Sequence, residues 1–206
     1  MITARAPLLA MALLLLTGGC AALPADAPPP LAPPLAASLA ETPAEPAALA
    51  RAERIAEALV QAATAERAAD TAALARAAQR LERLGAAPQT AADEQTMERW
   101  LASIGSDLPP LRGRALGPAY RSAALDPGAA TELNQTFFGG RSAQIVVRSV
   151  KGAGLSLVVE DQANRAVCKA DDDPATCRWV PLYTQRHRIR IVNKGPAVSE
   201  FYIVFD

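Results

Sequence analysis

The pattern of apolar and polar positions changes along this 206-residue chain. From about Ala47 to Leu84 the composition is rich in alanine, glutamate, arginine and leucine, which favour helix. One face of this stretch repeats about every 3.6 residues and is mostly alanine: Ala52, Ile55, Leu59, Ala62, Ala73, Ala77, Leu81 and Leu84. Glu66 and Asp70 interrupt the face, and Gly85 ends it. We predict one helix with a thin apolar face, suited to packing on a single partner helix.

A second helix is predicted directly after the first. Thr90 lies three residues before Asp93, which is close to a capping box. An apolar face follows, formed by Met97, Trp100, Leu101 and Ile104. Residues 47–106 are therefore expected to form a helical hairpin. Two interpretations stay open: the hairpin packs on its neighbour and the C-terminal domain, or it is an arm for oligomerisation or partner docking.

Beyond Pro109 and Pro110 the period changes from about 3.6 to 2. Eight candidate strands lie near residues 120–125, 131–138, 143–150, 155–160, 166–169, 177–180, 186–193 and 199–205. Turn signals such as Gly139-Gly140 separate them. Short strands without intervening helices predict an antiparallel β-sandwich over residues 113–206. The fold class is α+β and multidomain, with a helical hairpin followed by an all-β antiparallel sandwich.

Composition and charge limit the functions open to this chain. Aromatic residues make up 4% of it, none precedes Trp100, and all the others lie from Tyr120 onward, so the β-region holds the compact core. The 21 basic and 21 acidic side chains give a formal net charge of zero. A protein that binds nucleic acid needs a basic excess to neutralise phosphates, so we expect no nucleic-acid partner.

Residues 1–19 have the order of a secretory signal. Arg5 is the only charge, an apolar run extends from Leu8 to Leu16, and small residues precede Cys20. The run is too short to span a bilayer. The segment Leu16-Thr17-Gly18-Gly19-Cys20 resembles the lipobox of bacterial lipoproteins, whose cysteine is acylated and becomes the new N-terminus. The resemblance implies membrane anchoring through a lipid at Cys20, and the alternative is an ordinary cleaved signal.

The residues after Cys20 bear on location. Position 21 is alanine, not the aspartate that retains many enteric lipoproteins in the inner membrane, so the resemblance implies a periplasm-facing location at the outer membrane. Residues 20–46 contain many prolines, which disfavour helix and sheet. They are expected to form an extended, polyproline-II-leaning tether, with a proline-rich docking motif as the alternative.

Cysteine counting predicts a disulfide. With Cys20 assigned to a lipid, Cys168 and Cys177 remain as an even pair in an exported, oxidising compartment. A bond between them would stabilise the fold by about 2 to 3 kcal/mol. The alternative, a two-thiol metal site, lacks other ligands, since His187 is the only histidine.

Several short motifs in the β-region resemble the bacterial pre-peptidase C-terminal domain family. They are Phe138-Gly139-Gly140, Val159-Glu160-Asp161, Val167-Cys168, Cys177-Arg178-Trp179-Val180-Pro181, the stretch from Ile189 to Gly195, and Tyr202. The resemblance covers about Gly117 to Asp206 and implies a small jelly-roll-like sandwich that is non-catalytic and acts in binding, secretion or folding support. The resemblance extends over nearly half of the chain.

The sequence gives little support for a metal or cofactor. Some family members have an acidic strand with calcium ligands where this chain has Gly154-Leu155-Ser156-Leu157, which lacks carboxylates. The run Asp171-Asp172-Asp173 is either a solvated hairpin tip or a substitute calcium loop. We expect no cofactor and no metal site.

Catalytic residues are also not evident. His187 lies on the apolar face of its strand, where a histidine is usually structural. No free cysteine remains to act as a nucleophile once the disulfide forms, and no serine lies in a Gly-x-Ser-x-Gly elbow. We therefore expect that the protein is not an enzyme.

The surface feature with the clearest chemistry is a row of arginines. Arg186, Arg188 and Arg190 alternate along one strand and share a face, roughly 7 Å apart. Guanidinium groups in a row suit an anionic polymer or an acidic partner. The alternative is an exposed strand balanced by cross-strand acids such as Glu200 or Glu160.

These features predict a lipid-anchored envelope lipoprotein with a Pro-rich tether and a helical arm. Its β-sandwich is expected to bind or scaffold an envelope protein or a cell-wall component. The alternatives are an accessory or chaperone-like subunit of an envelope secretion or assembly system, and an envelope hydrolase with a site on the sandwich surface.

Overall fold

The computed structural model describes residues 46–103 and 118–206, with side chains from residue 51 onward. The predicted signal segment, Cys20 and the tether up to residue 45 lie outside the described residues. So do residues 104–117, which include Ile104 of the predicted second helix. Within the described residues, no helix has the length and apolarity that crossing a membrane requires.

In the part of the chain that the structure describes, three helices precede the main body of strands: α1 (Pro46–Arg67), α2 (Thr71–Leu84) and α3 (Ala91–Ala102). Helices before the sandwich are confirmed, but the stretch predicted as one helix over residues 47–84 is two helices, and it is α1 and α2 that form the hairpin. The reason for the break is Asp70, whose side chain accepts a hydrogen bond from the Ala73 amide and caps α2. Thr90 caps α3 in the same way, as its spacing predicts.

Across residues 46–103 and 118–206, nine strands form two sheets, with β1 (Ala87–Pro88) between α2 and α3. The others are β2 (Ala119–Leu125), β3 (Ala130–Phe137), β4 (Ala143–Lys151), β5 (Leu155–Glu160), β6 (Ala166–Ala170), β7 (Ala175–Trp179), β8 (Gln185–Asn193) and β9 (Ser199–Phe205). Sheet A has the order β1-β2-β9-β4-β7, and sheet B has the order β3-β8-β5-β6. All pairings are antiparallel except that of β1 with β2. The predicted sandwich is confirmed, and each of its eight strands lies within two residues of its expected bounds.

The sandwich interior follows from the alternation of side chains along each strand. Ile145 and Val147 of β4 point into it, where they meet Ile189 and Ile191 of β8. Leu157 and Val159 of β5 belong to the same cluster. This interior accounts for the period of 2 that the sequence shows.

Sheet A is also buried on its outer face, because α1 lies across β4 and β9. Val146 and Val204 point outward from the sheet and belong to one core with Ile55 and Leu59 of α1. The other side of α1 packs on α2, which completes the layers. The thin alanine face therefore does more than pack on a single partner helix: it lets α1 lie between α2 and the sheet.

Polar contacts join α3 to the sheet. Asp93 is buried and accepts hydrogen bonds from the Ser122 amide, at 3.1 Å, and from the Ser122 hydroxyl. It also accepts one from the Thr90 hydroxyl. Nearby, burial raises the pKa of Tyr202 to about 12, and the charge of Asp93 adds to the effect. The helices and the sandwich thus share both an apolar core and buried polar contacts.

The predicted disulfide is present between Cys168 of β6 and Cys177 of β7, with the Cα atoms 5.8 Å apart. β6 is an edge strand of sheet B and β7 an edge strand of sheet A. The bond therefore connects the two sheets along one side of the sandwich.

Candidate functional site

The arginine row lies on the outer face of sheet B. Along β8 the burial alternates, so that Arg186 and Arg190 are exposed while His187, Ile189 and Ile191 are buried. Arg188 is half-buried on the same face as the other two arginines. The face assignment made from the sequence thus agrees with the structure.

The three arginines differ in their partners. Arg188 donates two hydrogen bonds to Glu160 of β5, at 2.8 and 2.6 Å. Arg190 forms an ion pair of 3.7 Å with Glu132 of β3. Within the described part of the chain, Arg186 has no acidic partner. Cross-strand acids therefore balance two of the three positions, and Glu200, the other acid considered, pairs instead with Arg67 of α1.

Arg186 lies in a polar cleft of about 530 Å³. We call this the Arg186 cleft, and its lining comes from β3, β8 and two adjoining turns: Asn134, Thr136, Asp161, Gln162, Asn164, Thr184, Gln185, Arg186 and Arg188. The register between β3 and β8 brings the strand residues of the cleft together, since Thr136 is directly opposite Arg186 and Asn134 is opposite Arg188. Amides, hydroxyls, two guanidinium groups and the carboxylate of Asp161 thus surround one open space.

The wall of the cleft formed by the β5–β6 turn is held by Asp161. Its Oδ1 accepts hydrogen bonds from the amides of Ala163 and Arg165, at 2.8 and 3.0 Å. Its Oδ2 accepts one of 2.9 Å from the Arg165 guanidinium. The backbone and then the side-chain hydrogen bonds of Arg165 hold the pKa of Asp161 below its usual range. Asp161 is therefore an ionised structural anchor of the turn.

His187 lies behind the cleft, inside the sandwich. It is fully buried, and its Nε2 accepts a hydrogen bond of 3.3 Å from the Trp179 indole. The ring of Phe137 is packed edge-on at 5.5 Å between centroids. Burial lowers the pKa of His187, which favours the neutral imidazole. The side chain points away from the Arg186 cleft, since alternate residues of a strand face opposite sides.

The acidic run between β6 and β7 takes part in protein contacts. Asp171 pairs with Lys194 at 2.8 Å, and Asp173 accepts a hydrogen bond of 3.2 Å from the Ser149 amide. Among residues 46–103 and 118–206, no group of three or more histidine, cysteine, aspartate or glutamate side chains is arranged to hold a metal ion.

A second surface feature, which the sequence analysis did not single out, lies in the turns after β3 and β7. Phe138, Val180, Leu182 and Tyr183 are large apolar residues that remain exposed. We call them the apolar tips. A signal for them was present, because apolar residues beside Gly139-Gly140 and Pro181 fall in turns where a polar residue is usual.

No protein-family model matches this chain, and no curated protein matches it. Solved structures are similar to part of it, among them three that each cover less than half of this chain. The Yersinia pseudotuberculosis-derived mitogen is 14% identical over 43% of this chain and 84% of its own, with a TM-score of 0.38. The pre-peptidase C-terminal domain of a collagenase from Bacillus anthracis is 10% identical over 42% of this chain and 87% of its own, with a TM-score of 0.36.

The third is PliG from Aeromonas hydrophila, a periplasmic inhibitor of g-type lysozyme. It is 8% identical over 48% of this chain and 93% of its own, with a TM-score of 0.37. A pre-peptidase C-terminal domain is thus among the similar structures.

Proposed function

We propose that this protein is an envelope lipoprotein, anchored through Cys20 in the outer membrane and facing the periplasm, whose β-sandwich binds a carboxylated cell-wall component without catalysis. The anchor is supported by the signal-like order of residues 1–19 and the lipobox before Cys20. The binding role is supported by the Arg186 cleft.

The observation that carries the binding role is the unpaired guanidinium of Arg186 in a polar cleft. A guanidinium binds a carboxylate through two parallel hydrogen bonds, and within the described part of the chain no acid forms an ion pair with Arg186. Asn134, Thr136 and Gln185 add amide and hydroxyl groups around it. Cell-wall polymers carry carboxylates, amides and hydroxyls on one chain, which matches this combination of groups.

The same cleft favours binding over hydrolysis. Its one carboxylate, Asp161, is held by three groups of the β5–β6 turn and is ionised, so it is poorly suited to donate or accept a proton. His187 points into the sandwich interior instead. A hydrolase would need a proton-transfer group that reaches the ligand.

The proposal is tested by co-sedimentation of the protein with purified cell-wall sacculi. Arg186→Gln should weaken sacculus binding by about tenfold or more, since a charge-assisted hydrogen bond contributes about 1.5 to 3 kcal/mol. Arg190→Gln is the matched control, because Arg190 is exposed on the same face of β8 but lies outside the cleft. It should bind as the unmodified protein does.

Equal binding by the Arg186→Gln and Arg190→Gln variants would contradict the role of the cleft. Release of soluble wall fragments during the incubation would favour the hydrolase alternative. Mass spectrometry of the protein from cell membranes tests the anchor separately, since the proposal requires an acylated cysteine at position 20 as the first residue.

A further inference from the structure

The apolar tips are unusually exposed for such large side chains. The exposed fraction is 84% for Leu182, 74% for Tyr183, 60% for Phe138 and 59% for Val180. Isolated apolar residues on a surface are common, but a contiguous group of them marks an interaction site.

The two turns that carry the tips are bound to each other. The Gly139 amide donates a hydrogen bond of 3.0 Å to the Thr184 hydroxyl, and the Gly140 amide donates one of 2.7 Å to the Pro181 carbonyl. A Cβ atom at Gly139 would lie 2.9 Å from Tyr183 Cα, so only glycine allows this approach. Phe138 and Tyr183 are therefore displayed together on one end of the sandwich.

The charges around the tips are basic. Residues 138–142 and 180–184 contain no acidic residue, and the Arg141 guanidinium lies 5.9 Å from the centre of the Phe138 ring. Arg178 and Arg186 flank the second turn and are exposed. Among the residues that line the cavity beneath Phe138, Asp206 carries the one carboxylate, and Arg141 lines the same cavity. An apolar surface with a basic rim suits an anionic lipid headgroup layer.

The direction of α1 places its beginning at the same end. Arg51, near the start of α1, donates hydrogen bonds to the Leu84 carbonyl, just before β1. β1 pairs with β2 through Ala87 and Ala119, and Ala119 lines the same cavity as Phe138. Arg67, the last residue of α1, pairs with Glu200 at the opposite end of β9. The chain that precedes α1 therefore joins the folded part at the end that carries the apolar tips.

We propose that the apolar tips insert into the anionic phospholipid surface of the membrane that holds the protein. The exposure, the basic rim and the side on which α1 begins all favour this surface. The identity of the membrane rests on the proposed anchor at Cys20, because the chain from that anchor enters the folded part at the end that carries the tips. Aromatic and aliphatic side chains beside arginine are typical of residues that lie at the boundary of headgroups and acyl chains.

The test measures which end of the sandwich enters the lipid. Two variants of the full chain carry Cys20→Ser and one new cysteine for an environment-sensitive fluorophore: Leu182→Cys at the tips, or Ala197→Cys in the exposed β8–β9 turn at the opposite end. Both are mixed with vesicles of phosphatidylethanolamine and phosphatidylglycerol that contain a lipid-bound quencher. Any binding by residues 1–45 is the same in both variants, so the difference between them reports on orientation.

We expect the fluorophore at position 182 to shift to shorter wavelength and to be quenched, and the one at position 197 to change little. A fluorophore at Val180→Cys should lose most of its quenching when Phe138→Ser and Leu182→Ser are added, because burial of one such side chain contributes about tenfold in affinity. Val198→Ser, at the opposite end, is the matched control and should leave the quenching unchanged.

Equal quenching at positions 182 and 197, or none at 182, would overturn the inference. So would quenching of the same size in pure phosphatidylcholine vesicles. If an envelope protein extract shifts the fluorescence at position 182 while vesicles do not, the tips bind a protein partner and the inference is wrong. Because sacculus binding and acylation at Cys20 are measured separately, either proposal can fail while the other holds.

Discussion

Among single residues, His187 lies at the centre of an aromatic cluster with Phe137 and Trp179. Its pKa is lowered by burial, so the unfolded chain binds a proton at a higher pH than the folded protein does. The contribution of His187 to stability is therefore complete above the ordinary pKa of about 6.5 and declines as the pH falls below it.

We predict that the free energy of unfolding falls from pH 7 to pH 5 and that His187→Gln removes most of this slope. The slope from one proton is at most about 1.4 kcal/mol per pH unit. Urea unfolding followed by tryptophan fluorescence at several pH values measures it. The same slope in both proteins would show that His187 is not the group responsible.

Asp93 is a second buried residue with a predictable effect. It accepts hydrogen bonds from two side chains and one amide, so Asp93→Ala leaves the donors of Ser122 without their partner. We expect the free energy of unfolding to fall by about 2 to 3 kcal/mol. Glu98→Ala removes an exposed carboxylate from the same helix and should change it by less than about 0.5 kcal/mol. Denaturant unfolding compares the two, and equal losses would contradict the prediction.

Between elements, Arg51 connects the start of α1 to the end of α2. Its guanidinium donates two hydrogen bonds to the Leu84 carbonyl, at 3.1 and 2.9 Å, where α2 has no further amide to bind that oxygen. Arg51→Met keeps the length of the side chain but removes both donors. We expect a loss of about 1 to 2 kcal/mol in thermal or urea unfolding.

Arg54→Met is the control for Arg51, because Arg54 is exposed on the same helix. If both variants lose the same stability, the effect comes from helix propensity or net charge and not from the contact with α2.

The strands were predictable from the sequence because their signal is local. Alternation along β8 assigns Arg186 and His187 to opposite faces without knowledge of any neighbour. The break at Asp70 was not predicted, because a single aspartate has two meanings in a sequence. It can interrupt the apolar face of one continuous helix, or it can cap the start of a new helix, as Asp70 does for α2.

The ion pairs formed by the arginine row could not be predicted from the sequence. Which acids meet Arg188 and Arg190 depends on the register between strands far apart in the chain, and so does the isolation of Arg186. The apolar tips also required the structure, because Gly139 and Tyr183 meet only when two turns that are far apart in the chain come together. Cysteine counting succeeded because it needed no geometry.

For the molecule as a whole, the sequence of β9 contains a signal that helices cover sheet A, although the sequence analysis did not use it. The run Phe201–Phe205 is apolar at every position, which is typical of a strand that is buried on both faces. Phe201, Ile203 and Phe205 point into the sandwich, while Tyr202 and Val204 face the helices.

It follows that a fragment of residues 113–206, the extent expected for the sandwich, should not be stable as a soluble monomer. Removal of α1 exposes a contiguous apolar face that includes Val146, Tyr202 and Val204. A fragment of residues 46–206 retains the cover and should be monomeric. Size-exclusion chromatography and near-ultraviolet circular dichroism compare the two, and a monomeric, folded 113–206 fragment would contradict the expectation.

The alanine of α1 also bears on which mutations the protein tolerates. Ala52, Ala56 and Ala62 are completely buried between two layers, where a methyl group is the largest side chain that fits without displacement. Enlarging one of them to leucine should cost about 1 to 3 kcal/mol, while Ala72 of α2 is exposed and should accept the same change. A deep mutational scan would therefore find that the buried alanines of α1 resist enlargement, while Ala72 of α2 accepts it. Alanine here sets the distance between the layers.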